Sequence, residues 1–192
     1  MFDYSDAPSQ REMDLIPHGT IVELQMIIQP GGAGEDGLLK RSADGLCEML
    51  SVECIVVSGK YFRRKLWERF VLAGTSDGHA KAAEISRSKL RAILESAKGI
   101  KPDDTSPQAR AARSVALRDF DNMRFIAKVG IEKGKDRGDG TNYPDRNTLL
   151  QITTPDRKDW RKVEQVAQPP QSASASAAAN APVAIAKPAW AS

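Results

Sequence analysis

The chain has 192 residues, 41% of them apolar and 6% aromatic, with a net charge of +3 and a pI near 8.9. That length suits one domain with appendages, and the net charge is too small to name a partner by itself. No run of about 18 apolar residues occurs, which excludes a membrane-spanning helix.

Met1-Phe2-Asp3-Tyr4-Ser5-Asp6 has neither a basic nor an apolar leader region, so no signal peptide is expected. Residues 1–14 read as an N-terminal arm. Thr20–Ile28 alternates Val22, Leu24, Met26 and Ile28 against Glu23, Gln25 and Ile27, the period of a strand with one buried face. Pro30 to Gly37 is a glycine-rich loop. Met49–Val57 is a second alternating strand, with Leu50, Val52, Cys54 and Val56 inward. Cys47 and Cys54 are the only cysteines and are expected as reduced thiols in a cytoplasmic protein, the host cytoplasm if a phage encodes it. Ser58-Gly59-Lys60 is a turn that folds this strand back on a third, read over 59–72.

A helix follows from Gly78 to about Lys98, with Ala83, Leu90, Ile93, Leu94 and Ala97 on one stripe. Ser76 or Asp77 can cap it, and Gly99 ends it. Residues Pro107–Leu117 read as a second, short helix. Strands at Arg124–Ile131 and Asn147–Thr153 flank a charged, glycine-rich hairpin loop. The domain is placed at 15–160 and a Pro/Ala/Ser-rich tail at 161–192, low in complexity from about Ala167 and expected to be disordered. Trp190 stands alone in that tail, as a docking hook or by chance.

The third strand carries the strongest functional signal. Strand alternation puts Tyr61, Arg63, Lys65, Trp67 and Arg69 on one face, and Phe62, Leu66, Phe70 and Leu72 on the other. Cations interleaved with flat rings suit a single-stranded nucleic acid, since cations meet phosphates and rings meet bases. A solvated or edge-guarding face reads the same way. Charge is also unevenly spread: residues 1–57 hold ten acids and three bases, whereas residues 58–101 hold eleven bases and four acids. The acidic part packed beside the basic part would cancel this asymmetry.

Five strands with a helix between the third and fourth is the order of an OB-fold barrel, a mainly β architecture that binds oligonucleotides on its second and third strands. On that basis Tyr61 and Trp67 are expected to stack on bases. Lys60, Arg63, Lys65, Arg69, Lys133, Lys135 and Arg137 are expected to meet phosphates. Arg87, Lys89 and Arg91 on the helix read as a solvated face or as an extension of that track.

Three stretches carry a family likeness: Leu94-Glu95-Ser96-Ala97-Lys98-Gly99, Phe125-Ile126-Ala127-Lys128-Val129-Gly130-Ile131-Glu132 and Tyr143-Pro144-Asp145-Arg146-Asn147-Thr148-Leu149. Over about residues 15–155 the chain resembles a family of small tailed-phage and prophage proteins of unknown function, often encoded among recombination genes, that look like single-stranded-DNA-binding proteins. The resemblance implies phage or prophage DNA replication or recombination, with single-stranded DNA (or RNA) and recombination or replication proteins as partners. A homo-oligomer is compatible with it. No acid follows Glu164, so recruitment of partners through an acidic, aromatic tip, as in bacterial single-strand-binding proteins, is not expected.

Other chemistries find less support. His18 and His79 have no partner at ligand spacing, and Cys47 and Cys54 form no Cys-x-x-Cys pair, so no metal or cofactor is expected. Asp103, Asp104, Asp119 and Asp121 lack the strand-borne Glu-x-Lys of a common nuclease core and read as loop and turn residues. No phosphate loop and no Gly-x-Ser-x-Gly elbow occurs, and Arg137-Gly138-Asp139 reads as coincidence. The expectation is a non-catalytic binding protein. The alternative to DNA binding is a phage adaptor or structural module that contacts protein.

Overall fold

A computed structural model of the chain describes Asp6 and residues 14–165. Most of the N-terminal arm and residues 166–192, with the expected disordered tail and Trp190, lie outside the described residues. Nine elements follow in order: β1 (Ile21–Ile28), β2 (Leu39–Arg41), β3 (Cys47–Val56), β4 (Lys65–Gly74), α1 (Asp77–Lys98), α2 (Pro107–Arg113), a 3-10 turn (Leu117–Phe120), β5 (Arg124–Glu132) and β6 (Arg146–Ile152).

All six strands join one antiparallel sheet. Three of them pair with β3: β1 along Val52–Val56, β2 along Glu48–Leu50, and β4 along Cys47–Ile55. β1 continues to β5, and β5 to β6. The alternation read from the sequence is the burial observed in β1 and β3, where Leu24, Met26, Leu50, Val52, Cys54 and Val56 are sealed from solvent. Burying each large apolar side chain contributes about 1.5–3 kcal/mol. Burial pushes the Cys54 thiol pKa up, and the charges of Glu68 and Glu53 push it further in the same direction.

The five-stranded OB barrel is not what forms. The sheet has six strands and stays open, and two helices lie outside it, so the fold is mixed α/β rather than mainly β. The two end strands do curl toward each other. Each carries one extra residue against its neighbour, Leu72 in β4 and Leu150 in β6, and such bulges bend a sheet. Among the described residues no backbone ladder joins β4 to β6. The link is a side chain instead. The Glu68 carboxylate on β4 accepts from Thr148 Oγ1 at 2.5 Å and from the Leu149 amide of β6 at 2.6 Å.

α1 starts and stops as its ends dictate. Ser76 Oγ accepts from the His79 amide at 3.2 Å, and Gly99 takes the left-handed φ of 69° that ends the helix. Its predicted stripe, Ala83, Leu90, Ile93, Leu94 and Ala97, is buried. Buried Ser96 ties the helix to β5 by accepting from the Ile126 amide at 3.0 Å. The second helix ends at Arg113, earlier than the sequence suggests, and a separate 3-10 turn follows. Residues 161–165 lie against the domain: Val163 is buried, and the Gln165 side chain bonds both the amide and the carbonyl of Arg124. No helix among the described residues is long and apolar enough to cross a membrane.

Replacing Glu68 by Ala strands the Leu149 amide and the Thr148 hydroxyl without their acceptor. The expected loss is about 1–3 kcal/mol of stability, read from the urea midpoint. Glu68→Gln, which keeps an acceptor oxygen, should recover part of it. An unchanged midpoint in Glu68→Ala would show that the link contributes nothing.

Candidate functional site

Alternation along β4 sends Leu66 and Phe70 into the core and Lys65, Trp67 and Arg69 outward. Glu68 lies on the inward side and avoids the cost of a buried unpaired carboxylate through its bonds to β6. Trp67 is 59% exposed, a large apolar surface left in water.

The strand does not begin at Gly59. Residues 59–64 form the hairpin loop, and Arg63 takes a left-handed φ of 67°, unusual for a residue other than glycine. This breaks the alternation expected for the loop residues. Tyr61 turns back to pack on the core, while Phe62 is outside and 56% exposed. Lys60 lies over the Tyr61 ring and Arg63 over the Phe62 ring, at 5.5 and 5.3 Å from the ring centres. Of the five residues expected to share a face, Lys65, Trp67 and Arg69 do so on β4. Arg63 approaches from the loop, and the paired stacking platform of Tyr61 and Trp67 does not form.

Two hollows meet at Trp67. One, of about 370 Å³, is lined by Gln29, Lys40, Ser51, Trp67, Arg69 and Arg146 among others. The second, of about 490 Å³, is lined by Leu15, Arg63, Arg64, Lys65, Trp67, Asp145, Arg146 and Asn147. Trp67 and Arg146 belong to both, and so form the ridge between them. Asp145 and Arg146 also line a third hollow of about 550 Å³ under the β5–β6 loop, where Lys133 and Lys135 stand. Arg137 lies outside these hollows, 4.5 Å above the Tyr143 ring.

The electrostatics are two-signed. Lys65 pairs with Glu53 at 2.9 Å, Arg146 with Glu132 at 2.6 Å, and Lys133 with Asp145 at 2.7 Å. Arg64 donates to the Asp14 carbonyl. Among the described residues, Lys40, Arg63 and Arg69 have no ion pair. Arg146, Lys40, Arg64 and Glu53 were not singled out by sequence reasoning, because each enters the site through strand pairing or chain reversal rather than local pattern. Among the described residues no three His, Cys, Asp or Glu side chains converge to hold a metal ion.

No family model matches the chain, and neither the curated proteins nor the solved structures contain a match. The resemblance to the phage single-stranded-DNA-binding family is therefore corrected. No family model carries it, and the open six-stranded sheet with two outlying helices is not the closed barrel it implied. With the barrel goes the assignment of the face to single-stranded DNA in phage replication or recombination, which rested on placing β4 third in that architecture.

Asp145 organises the third hollow. Its carboxylate accepts from Lys133 Nζ at 2.7 Å and from the Gly134 amide at 3.1 Å. No larger residue fits at Gly134, because an added Cβ would lie 1.5 Å from the Tyr143 carbonyl oxygen. The Lys133 hydrogen bond, then that of Gly134, holds the Asp145 pKa below the ordinary 3.8. A depressed folded pKa stabilises the loop above the unfolded value and is lost as pH falls through the folded one. The Gly134 amide resonance should therefore hold through the ordinary aspartate range and move only at lower pH. A transition centred in the ordinary range, or one that survives Asp145→Asn, would contradict this.

Proposed function

We propose that the protein is a non-catalytic interaction module that holds an acidic, extended segment of a partner protein, with Trp67 as its anchor. The observation that carries this reading is the exposed Trp67 ring on a ridge between two hollows, ringed by cations of which some are matched in pairs and some are free. Trp and Arg dominate the binding energy of protein interfaces, where a central ring is desolvated inside a polar rim. Lys40, Arg63 and Arg69 supply uncompensated positive charge at that rim, which selects acidic side chains. A phosphate track would need a continuous row of free cations, whereas Lys65, Arg146 and Lys133 are each held by a carboxylate. Polar side chains of both signs suit a partner that presents apolar and acidic groups together.

Tryptophan emission tests this, with a short peptide of Asp and Glu carrying one Phe and one Leu as the probe. Binding should shift the emission of the native protein to the blue and weaken with salt; read by the anisotropy of a fluorescein-labelled copy of the peptide, Trp67→Ala should lose tenfold or more in affinity, about 1.4 kcal/mol or more. Arg69→Ala should raise Kd by a smaller factor and flatten the salt dependence. Two results would overturn the reading. One is an unchanged peptide affinity in Trp67→Ala. The other is an oligothymidylate of equal charge binding at Trp67 more tightly than the peptide.

A further inference from the structure

A separate hollow, of about 620 Å³, lies between α1 and the α2–3-10 segment, away from Trp67. Apart from Thr105, its lining divides into three kinds of group. Leu90 and Leu94 of α1, with Val115 and Phe120 from across the gap, give it an apolar floor. Arg91 and Arg113 are committed to structure. Both donate to the same oxygen of buried Glu95, at 2.8 and 2.9 Å. Arg113 also bonds the carbonyls of Asp104 and Lys101, and Arg91 that of Pro102. These two fix the α1–α2 loop and so the shape of the hollow.

Arg87 and Arg110 are different. Both line the hollow and both are exposed. Among the described residues neither has an ion pair or a side-chain hydrogen bond. Among the described residues Glu95 is the one carboxylate ion-paired with the lining arginines, and it is shared by two of them. The carboxylate of Asp104, on the adjoining loop, is turned to the Ser106 amide. The hollow thus keeps two guanidinium groups, those of Arg87 and Arg110, that no carboxylate among the described residues pairs. A guanidinium fork matches a carboxylate or phosphate in geometry as well as sign. A concave, largely apolar site with a few convergent polar groups has the form and size of a small-ligand pocket.

We propose that this hollow binds a small amphipathic anion. Arg87 and Arg110 hold its carboxylate or phosphate, and Leu90, Leu94, Val115 and Phe120 receive its apolar body. The site is independent of the Trp67 face and does not rest on the reading given to that face.

The probe is the anionic dye 8-anilinonaphthalene-1-sulfonate, with octyl phosphate, octanoate and octanol as competitors, on the full chain. The dye should bind the native protein and be displaced by octyl phosphate and by octanoate but not by octanol. Arg87→Gln with Arg110→Gln should raise the dye Kd tenfold or more with an unchanged melting temperature, as both side chains are exposed. Each single variant should lose part of that factor, and Trp67→Ala should lose none. An equal Kd in the double variant, or competition by octanol as effective as that by octyl phosphate, would overturn the proposal. So would retention of the protein on phosphatidylglycerol vesicles with no displacement of dye by octyl phosphate, which would assign the arginines to a membrane surface.

Discussion

The Glu68 carboxylate is the contact on which the rest of the arrangement depends. It sits on the inward side of β4, where an unpaired charge would be costly, and accepts with one oxygen from a hydroxyl and an amide of β6. The two ends of an open sheet are thereby held together without a backbone ladder. Trp67 is its neighbour in sequence, and Arg146 begins the strand it grips. Both hollows at Trp67 include Arg146, so the site exists because β4 and β6 are joined at this point. The bulges at Leu72 and Leu150 supply the curvature that lets one carboxylate span the gap.

The surface that results is neither an apolar patch nor a uniform cationic track. Its ring is exposed, its nearest cations alternate between paired and free, and the pairs lie across strands or loops: Lys65 with Glu53, Arg146 with Glu132, Lys133 with Asp145. Exposed pairs of this kind contribute little to stability. Their effect is on recognition. They set where positive charge is cancelled and where, at Lys40, Arg63 and Arg69, it remains. The arginine hollow, which shares no lining residue with those at Trp67, follows the same division, with Glu95 consuming two guanidinium groups and leaving two.

Much of the local structure was legible in the sequence. The period-2 runs of β1 and β3 and the 3.6-period stripe of α1 report burial on one side, and Ser76 and Gly99 mark helix ends by chemistry that needs no tertiary context. The start of β4 was not legible, because Tyr61, Phe62 and Arg63 continue an alternating pattern that the left-handed turn at Arg63 interrupts. β2 has only three residues beside a glycine-rich loop, too short to show a period. The order of elements alone is compatible with a closed barrel. Closure depends on whether the last two edges form a ladder, and a side chain on one of them occupies that gap instead. Of the site, Lys65, Trp67 and Arg69 could be read from one strand. Arg146 and Lys40 could not, because only pairing across the sheet brings them to the ring.

The most direct measurement of the central claim is amide and indole NMR of the full chain titrated with the acidic peptide. Shifts are expected at the Trp67 indole and Arg146 on the ridge, at Lys40, Ser51 and Arg69 on one side of it and at Arg63 and Lys65 on the other, with the amides of α1 unmoved. Shifts that leave the Trp67 indole in place, or that an oligothymidylate produces there at lower concentration than the peptide, would contradict it.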